Sequence, residues 1–429
     1  MSVGNLPLDA DRLWDDVMAL SAITEPDRPF TRRSFTPRFL EGRAFLAARF
    51  IDAGLAVRID EAGNLIGRRE GSDPDAGTIM LGSHSDTVPS GGRFDGIAGV
   101  IAALEIARAL RDSGTQLRHT LEVVDFLAEE PSDFGLSCVG SRGMVGQLGP
   151  GHLGMVGPAG EKLAEALQRV GGDPKLVGAM TRRDVRAFFE LHIEQGPVLE
   201  ARNIDLGIVS GIVGITRLEI VFEGGADHAG TAPMDLRRDA LVAAANVVTA
   251  IRRHAEHLAN EKSGYFVATV GCLDVIPNAA NVVPQRVRLV VDARSSHRPM
   301  TERFVAAIDQ ASCESAKAAR VERAVFERLS DTMPVDCAPG LQALLVAGAQ
   351  AFGFSTMPLA SGAGHDAAFV AQIAPVAMVF VPCRGGKSHA PEEWAERNAI
   401  AAGATTIMEA VRCFDAGTQR VPRQETEKE

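Results

Sequence analysis

The six cysteines of this 429-residue chain are scattered, and no two of them form a C-x-x-C pair. We therefore expect neither a thiolate zinc site nor a disulfide framework, and reduced cysteines are typical of a cytoplasmic protein. The chain also lacks any run of the ~18–20 apolar residues that a membrane-spanning helix needs. Residues 1–11 are polar and acidic without the apolar stretch of a signal peptide, which again favours a cytoplasmic location.

Basic residues are too few for a protein that binds polyanions. The 44 Lys and Arg residues face 55 Asp and Glu residues, which gives a formal net charge of -11. That balance argues against a nucleic-acid or membrane-surface role, although it allows a local basic pocket for an anionic substrate. With 46% hydrophobic and 23% charged residues the composition is that of a globular protein, and the length predicts two or three domains.

Strands and helices alternate over most of the chain. Helices are predicted at 11–23, 37–53 and 99–110, and strands at 78–81, 121–127, 187–193 and 375–382. This alternation predicts an α/β fold with a mixed, mostly parallel sheet. Between residues 212 and 329 the predicted order changes to β-α-β-β-α-β, the ferredoxin-like unit. We therefore predict one α/β domain formed by residues 1–211 and 330–429, with a smaller domain inserted at 212–329.

Polar side chains follow the apolar strand at 78–81. His84 and Asp86 are two residues apart, so they share one face of an extended chain. That spacing suits a metal-ligating imidazole whose other ring nitrogen is held by a carboxylate. Asp95 lies in a glycine-rich loop, where a carboxylate could bridge two cations. The alternative is a polar loop whose aspartate only caps the helix that follows.

Two acidic neighbours, Glu129 and Glu130, follow the strand at 121–127. Adjacent residues of an extended segment point in different directions. One carboxylate could therefore bind metal while the other faces a substrate as a proton shuttle. An exposed acidic loop is the alternative interpretation of this pair.

Two further histidines come after predicted strands. His192 ends the strand at 187–193, with Gln195 nearby, and a hydrogen-bonded core histidine is the alternative there. His389 lies in a glycine-rich loop after the strand at 375–382. Together the four segments offer three imidazoles and two carboxylates: His84, Asp95, Glu130, His192 and His389. This donor set suits zinc, and also manganese, cobalt or nickel, and five such ligands could hold two ions about 3.5–4 Å apart.

These motifs resemble the zinc-dependent amidohydrolases of the hydantoinase/carbamoylase family, and more distantly the aminoacylases and di-metal exopeptidases. The matching stretches occur in the family's order at 82–100, 126–146, 190–200, 226–234, 277–283, 291–294, 361–369 and 385–391. The Leu-His-Ile-Glu-Gln-Gly stretch at 191–196 is specific to the carbamoylase branch.

The resemblance implies a role for each residue of the predicted metal site. The same five side chains would be the ligands of two divalent ions per subunit, zinc first, and Asp95 would bridge the two ions. Glu129 would be the general base and acid. Asp86 would be the partner that orients His84.

The resemblance also implies roles outside the metal site. The inserted domain would be a lid and a dimerisation surface, and His228 would reach the active site of a neighbouring subunit to stabilise an oxyanion. Asn281 and Arg294 would bind polar groups of the substrate, with Gln195 and His365 as weaker candidates. The planar fork of Arg294 suits a substrate carboxylate.

The implied activity is hydrolysis of a C–N bond in a small N-carbamoyl amino acid by metal-activated water. Allantoate amidohydrolase, β-ureidopropionase and N-acyl-amino acid hydrolase or exopeptidase activities are the alternatives. A binding protein of the same fold without catalysis is an alternative from another class. We expect a homodimer that acts on a small carboxylate-bearing substrate and involves neither nucleic acid nor membrane.

Overall fold

The computed structural model describes residues 6–177 and 182–417. The helices are α1 Ala10–Ser21, α2 Pro37–Asp52, α3 Ile97–Asp112, α4 Val139–Met144, α5 Pro150–Leu153, α6 Leu163–Arg169, α7 Val198–Arg202, α8 Ala240–Asn260, α9 Arg298–Ala319, α10 Pro339–Ala351, α11 Ala367–Val370 and α12 Arg397–Asp415. The strands are β1 Ala56–Ile59, β2 Leu65–Arg69, β3 Thr78–His84, β4 Thr120–Phe126, β5 Val185–Ile193, β6 Leu206–Ile212, β7 Gly214–Glu223, β8 Phe266–Ile276, β9 Arg286–Ser295, β10 Glu322–Asp331, β11 Val335–Asp336, β12 Thr356–Ser361 and β13 Val376–Val381. Among these described helices, none has both the length and the apolar composition of a bilayer span.

The main sheet has a parallel centre with antiparallel flanks. Its order is β1-β2-β4-β3-β5-β13-β6-β11, with β12 paired to β6. Strands β4, β3, β5 and β13 run parallel, whereas β2 and β6 pair antiparallel beside them. Every residue of β3, β4 and β13 is buried, as expected for strands covered on both faces. Because the four central strands share one direction, their carboxyl ends meet at one edge, where α/β proteins build sites.

Helix α3 is the most deeply buried helix beside this sheet, with every residue from Ile97 to Leu110 buried. Apolar residues on all its faces predict this position, and it packs between α1 and α12. Its acidic residue Glu105 is paired with Arg12, whose Nε and Nη2 donate to the carboxylate at 2.8 and 2.7 Å. A buried carboxylate needs such a partner, because desolvating a lone charge is costly.

A separate antiparallel sheet of order β10-β7-β9-β8 carries α8 and α9. Its elements follow the predicted β-α-β-β-α-β order along the chain. Strand β9 alternates strictly between buried and half-buried residues, and its buried members Val287, Leu289 and Val291 join the core under the two helices. This period of two is the pattern of a sheet with one covered face. The predicted α/β class with a mostly parallel sheet is confirmed, alongside this second, antiparallel sheet.

The chain forms two compact units. The first comprises Met1–Ser210, Cys337–Leu359 and His365–Glu429, and the second comprises Gly211–Asp336 and Ala360–Gly364. The division predicted from the sequence has its boundaries after residues 211 and 329. Each unit has its own hydrophobic core, built around the main sheet in the first and around the antiparallel sheet in the second.

Candidate functional site

Asp95 lies among three imidazole rings that come from three different segments of the first unit. Its Oδ1 is 3.5 Å from Nε2 of His84 and 3.2 Å from Nε2 of His192. Its Oδ2 is 3.2 Å from Nε2 of His389. Glu130 Oε1 lies 3.2 Å from that same nitrogen of His389. The two oxygens of one carboxylate therefore face two separate sets of side chains.

All five side chains predicted as ligands come together here, in two groups that share Asp95. His84, Asp95 and His192 form the first group, and Asp95, Glu130 and His389 form the second. Within each group the candidate ligand atoms lie within 4.8 Å of one another. Imidazole nitrogen and carboxylate oxygen together suit zinc and other divalent transition metals, and a shared carboxylate is suited to bridge two ions. The donor set thus favours divalent metal binding.

The two buried histidines are held with the same ring nitrogen toward Asp95. Nδ1 of His84 lies 3.0 Å from the carbonyl oxygen of Asp86, and Nδ1 of His192 lies 2.9 Å from that of Ile193. A carbonyl oxygen can only accept, so in the neutral form of each ring Nδ1 carries the proton and Nε2 keeps its lone pair. Metal-ligating histidines commonly have their tautomer fixed in this way.

The glycine-rich loop before α3 allows the His84 ring to lie close to the backbone. Gly96 has a φ of 65°, which L side chains rarely adopt. A Cβ atom at this position would lie 2.4 Å from Cε1 of the His84 ring. The glycine therefore provides both the backbone conformation and the space that the ring occupies.

The Asp86 carboxylate supports the two glutamates rather than His84 alone. It accepts the backbone N–H groups of Glu129 and Glu130, each at 3.3 Å. Its Oδ1 lies 3.5 Å from Nδ1 of His84, which is farther than the 3.0 Å to the carbonyl of the same residue. His84 therefore contacts the main-chain carbonyl of Asp86 more closely than the carboxylate that was predicted to orient it. Its side chain fixes the segment that carries the acidic pair.

Glu129 lies beside the first group, with Oε2 3.7 Å from Nε2 of His84. Burial raises the pKa of its carboxyl well above the usual range; the charge of His84 opposes this, and the charge of Glu130 adds to it. A carboxyl with a raised pKa is a candidate for proton transfer in a buried site.

His389 is the exposed member of the site, with 47% of its side chain accessible. Hydrogen bonds with Asp95 and Glu130 raise its pKa to about 10. A divalent cation competes with that proton for the ring nitrogen, because a ligating histidine must be neutral. Metal affinity is therefore expected to weaken as the pH falls.

A buried charge network lies behind the turn that carries His84. Nε of Arg43 forms an ion pair with the Asp125 carboxylate at 2.8 Å, and the same carboxylate accepts the hydroxyl of Ser85 at 3.1 Å. Arg32, which is only 1% exposed, donates its Nε to the carbonyl of Ser85 at 2.9 Å. These residues were not among the predicted site residues. The signal for Asp125 was present in the sequence, because an aspartate inside the buried apolar strand β4 needs a partner.

Residues 80–412 match the peptidase family M20/M25/M40. The chain belongs to this family. An N-carbamoyl-L-amino-acid amidohydrolase of Paenarthrobacter aurescens is 39% identical over 95% of this chain and 98% of its own length. The allantoate amidohydrolase of Bacillus subtilis is 33% identical over 89% of this chain and 92% of its own length. The crystal structure of a hydantoinase/carbamoylase family amidase from Burkholderia multivorans has a TM-score of 0.86 at 36% identity, covering 94% and 97% of the two chains.

Gln195 and His365, which were predicted to bind substrate, lie against the groups of candidate metal ligands in this M20-family chain. Nε2 of Gln195 donates to Oδ2 of Asp95 at 2.6 Å. His365 is buried, and its ring centroid lies 4.7 Å from that of His192 in an edge-on contact. With Glu190 these two histidines form a third group of candidate ligand atoms. Both predicted residues thus belong to the same cluster as the metal-ligand candidates.

The other three residues predicted to contact substrate, His228, Asn281 and Arg294, lie in the second unit of this M20-family chain. His228 and Asn281 are exposed in adjoining loops, where the N–H of Ala229 donates to the carbonyl of Asn281 at 3.0 Å. Arg294 lies on β9, and its Nε donates to Asp292 at 2.8 Å. Its Nη1 donates to the carbonyl of Gly362 at 2.8 Å. The guanidinium of Arg294 is therefore already oriented by two partners.

Sequence reasoning missed two polar neighbours of Asp95, namely Ser388 and Glu393. Ser388 Oγ lies 2.9 Å from Oδ2 of Asp95, and the carboxylate of Glu393 accepts backbone N–H groups of the Asp95 loop. Burial, together with the charge of Asp95, raises the pKa of Glu393 to about 7. The sequence offered one signal, since both residues flank His389 in the same loop.

Proposed function

We propose that this chain is a metal-dependent amidohydrolase that cleaves the carbamoyl C–N bond of N-carbamoyl amino acids. The observation that carries the proposal is the position of Asp95 between two groups of ligand atoms, with Glu129 beside the first group. Two divalent ions, zinc first, fit a site with one shared carboxylate. The relatives that act on N-carbamoyl amino acids and on allantoate support the reaction class.

The residues of the chain divide the chemical work between them. Divalent cations held here would lower the pKa of a water molecule and polarise the substrate carbonyl. Glu129 accepts the proton of the attacking water and delivers it to the leaving nitrogen. For a carbamoyl substrate and one water the products are the amino acid, ammonia and carbon dioxide.

His228 is suited to stabilise the oxyanion that forms during this attack. Its Nδ1 accepts the N–H of Gly230 at 3.1 Å, so a neutral ring carries its proton on Nε2. A ring that presents an N–H donor to an oxyanion is worth roughly 3–4 kcal/mol in comparable sites. We propose that His228 acts in this way on the substrate of a neighbouring subunit, with Asn281 contributing a further polar contact.

The edge strand β8 supports a homodimer. It ends the sheet of the second unit, and its apolar side chains Val267, Leu273 and Ile276 are exposed. An edge strand offers unpaired backbone groups that a second copy can complete. We propose that the second unit serves as dimerisation surface and lid, and that the protein works in the cytoplasm.

A substrate panel tests the proposed reaction. N-carbamoyl, N-acetyl and dipeptide forms of one amino acid would be assayed with β-ureidopropionate and allantoate, after chelation and after addition of zinc or manganese. We expect the highest kcat/KM on an N-carbamoyl amino acid, no turnover after chelation, and recovery with added metal. Turnover that persists in chelator, or a preference for the dipeptide, would contradict the proposal.

Arg294 is proposed to bind the α-carboxylate of the substrate. Replacing it with alanine should raise the KM of carboxylate-bearing substrates about 10- to 100-fold, the range of one hydrogen bond to a charged group, with little change in kcat. Arg217 is a matched control, because it lies on the adjacent strand and also contacts Asp292, at 3.2 Å. Steady-state kinetics of Arg294→Ala and Arg217→Ala would measure the difference. An equal KM in both variants would remove the assigned role.

A further inference from the structure

Glu393 holds the backbone of the Asp95 loop from a fully buried position. Its Oε1 accepts the N–H of Phe94 at 2.7 Å and the N–H of Asp95 at 3.1 Å. The residue is 0% exposed, whereas its neighbour Glu392 is exposed. The carboxylate thus fixes the main chain of the residue whose two oxygens face the two ligand groups.

Ser388 extends this contact to the side chain of Asp95. Its hydroxyl lies 2.8 Å from Oε2 of Glu393 and 2.9 Å from Oδ2 of Asp95. Ser388 directly precedes His389 in the chain, so the same contact also anchors the loop that carries this ring. Glu393 therefore connects the loop of Asp95 with the loop of His389, two segments almost 300 residues apart in the sequence.

The loop before Asp95 is shaped to admit the Glu393 carboxylate. Gly92 has a φ of 112°, and a Cβ atom there would lie 2.3 Å from Oε1 of Glu393. Only glycine provides both that conformation and that space. The contact therefore depends on a specific residue on each side of it.

The charges indicate that this contact serves a ligand rather than stability alone. Glu393 and Asp95 are both buried, and in their ionised forms the two carboxylates, separated by one hydroxyl, repel each other. A neutral side chain could accept the same two N–H groups without that repulsion. A divalent cation bound by Asp95 would offset it, because bound cations are often the largest local charges in a site.

We propose that Glu393, acting through Ser388, is a positioning residue that fixes Asp95 and the His389 loop and thereby sets the affinity for divalent cations. The inference rests on the proposed metal site. It adds a supporting residue that is not itself one of the five proposed ligands. Outer contacts of this kind typically change metal affinity about 10- to 100-fold when they are removed.

Three variants of the full chain distinguish the effect of the hydrogen bonds of Glu393 from the effect of its negative charge. Glu393→Ala removes the contacts, Glu393→Gln keeps an oxygen for the two N–H groups without the charge, and Glu392→Ala is the matched exposed control. Each protein would be stripped with chelator and titrated with Zn²⁺ or Mn²⁺ by calorimetry. The visible absorption of bound Co²⁺ would report the ligand geometry, and thermal unfolding of the metal-free proteins would report stability.

The expected result is a dissociation constant raised about 10- to 100-fold in Glu393→Ala and less than about tenfold in Glu393→Gln. The Co²⁺ spectrum should change in the alanine variant only, and the metal-free glutamine variant should unfold no earlier than the wild type. An affinity and spectrum of Glu393→Ala equal to those of Glu392→Ala would overturn the inference and leave the metal site standing. A wild type that binds no metal would overturn both.

Discussion

Replacing Glu129 with glutamine is expected to lower kcat about 10²- to 10⁴-fold, the range that one general acid–base group contributes. Glutamine keeps the size of the side chain but cannot accept the proton of the attacking water. Since Glu129 is not one of the five predicted ligands, the variant should bind metal like the wild type. Steady-state kinetics with metal analysis of the same samples would measure both quantities.

The pH profile gives this prediction a second readout. Burial raises the pKa of the Glu129 carboxyl, and the unprotonated form is the one that accepts a proton. At saturating metal, the kcat/KM of the wild type should therefore fall as the pH drops through that pKa, and the residual activity of Glu129→Gln should lack this acid limb. Glu194→Gln is a suitable control, because its carboxylate accepts the N–H groups that begin α7. Wild-type turnover in Glu129→Gln would remove the role assigned to Glu129.

The location of the site could be predicted from the sequence because of where its residues fall relative to strands. His84 ends β3, Glu130 follows β4, His192 lies near the end of β5, and His389 follows β13. Parallel strands bring their carboxyl ends to one edge, so polar residues at four such ends are expected to lie together. The prediction required only the direction of each strand and its place in the chain.

The contacts around the ligands could not be predicted in the same way. They depend on the strand order β4-β3-β5-β13 and on the orientation of side chains, and the spacing of residues along the sequence reveals neither. Gln195 reaches Asp95 with a positive φ of 56°, a conformation that no local pattern predicts. Arg32 donates its hydrogen bonds to carbonyl oxygens. The sequence does not show whether Arg32 or its neighbour Arg33 is the buried arginine.

Some elements of the fold were also missed. Helix α12 is absent from the predicted elements, although its buried residues Ile400, Ile407 and Val411 recur at helical spacing. The strands of the hairpin formed by β1 and β2, at the edge of the main sheet, are only four and five residues long. Its pairing with β4 is a long-range contact, and such contacts override weak local signals.

Asp95 connects the two ligand groups, so its replacement should have the largest effect on metal binding. Asparagine has nearly the same shape but lacks the negative charge and the second oxygen acceptor. We expect Asp95→Asn to weaken the binding of both ions by at least about 100-fold, more than the loss of an outer contact would, and to abolish measurable turnover. Asp133→Asn is the matched control, because its exposed carboxylate forms only a surface ion pair with Arg33 among the described contacts.

The number of zinc or manganese ions bound per chain, measured by calorimetry and elemental analysis, tests the shared carboxylate most directly. The expected result is two ions in the wild type and in Asp133→Asn, and neither ion at the same free metal concentration in Asp95→Asn. Two ions retained by Asp95→Asn would contradict the bridging position of Asp95, and with it the mechanism built on that position.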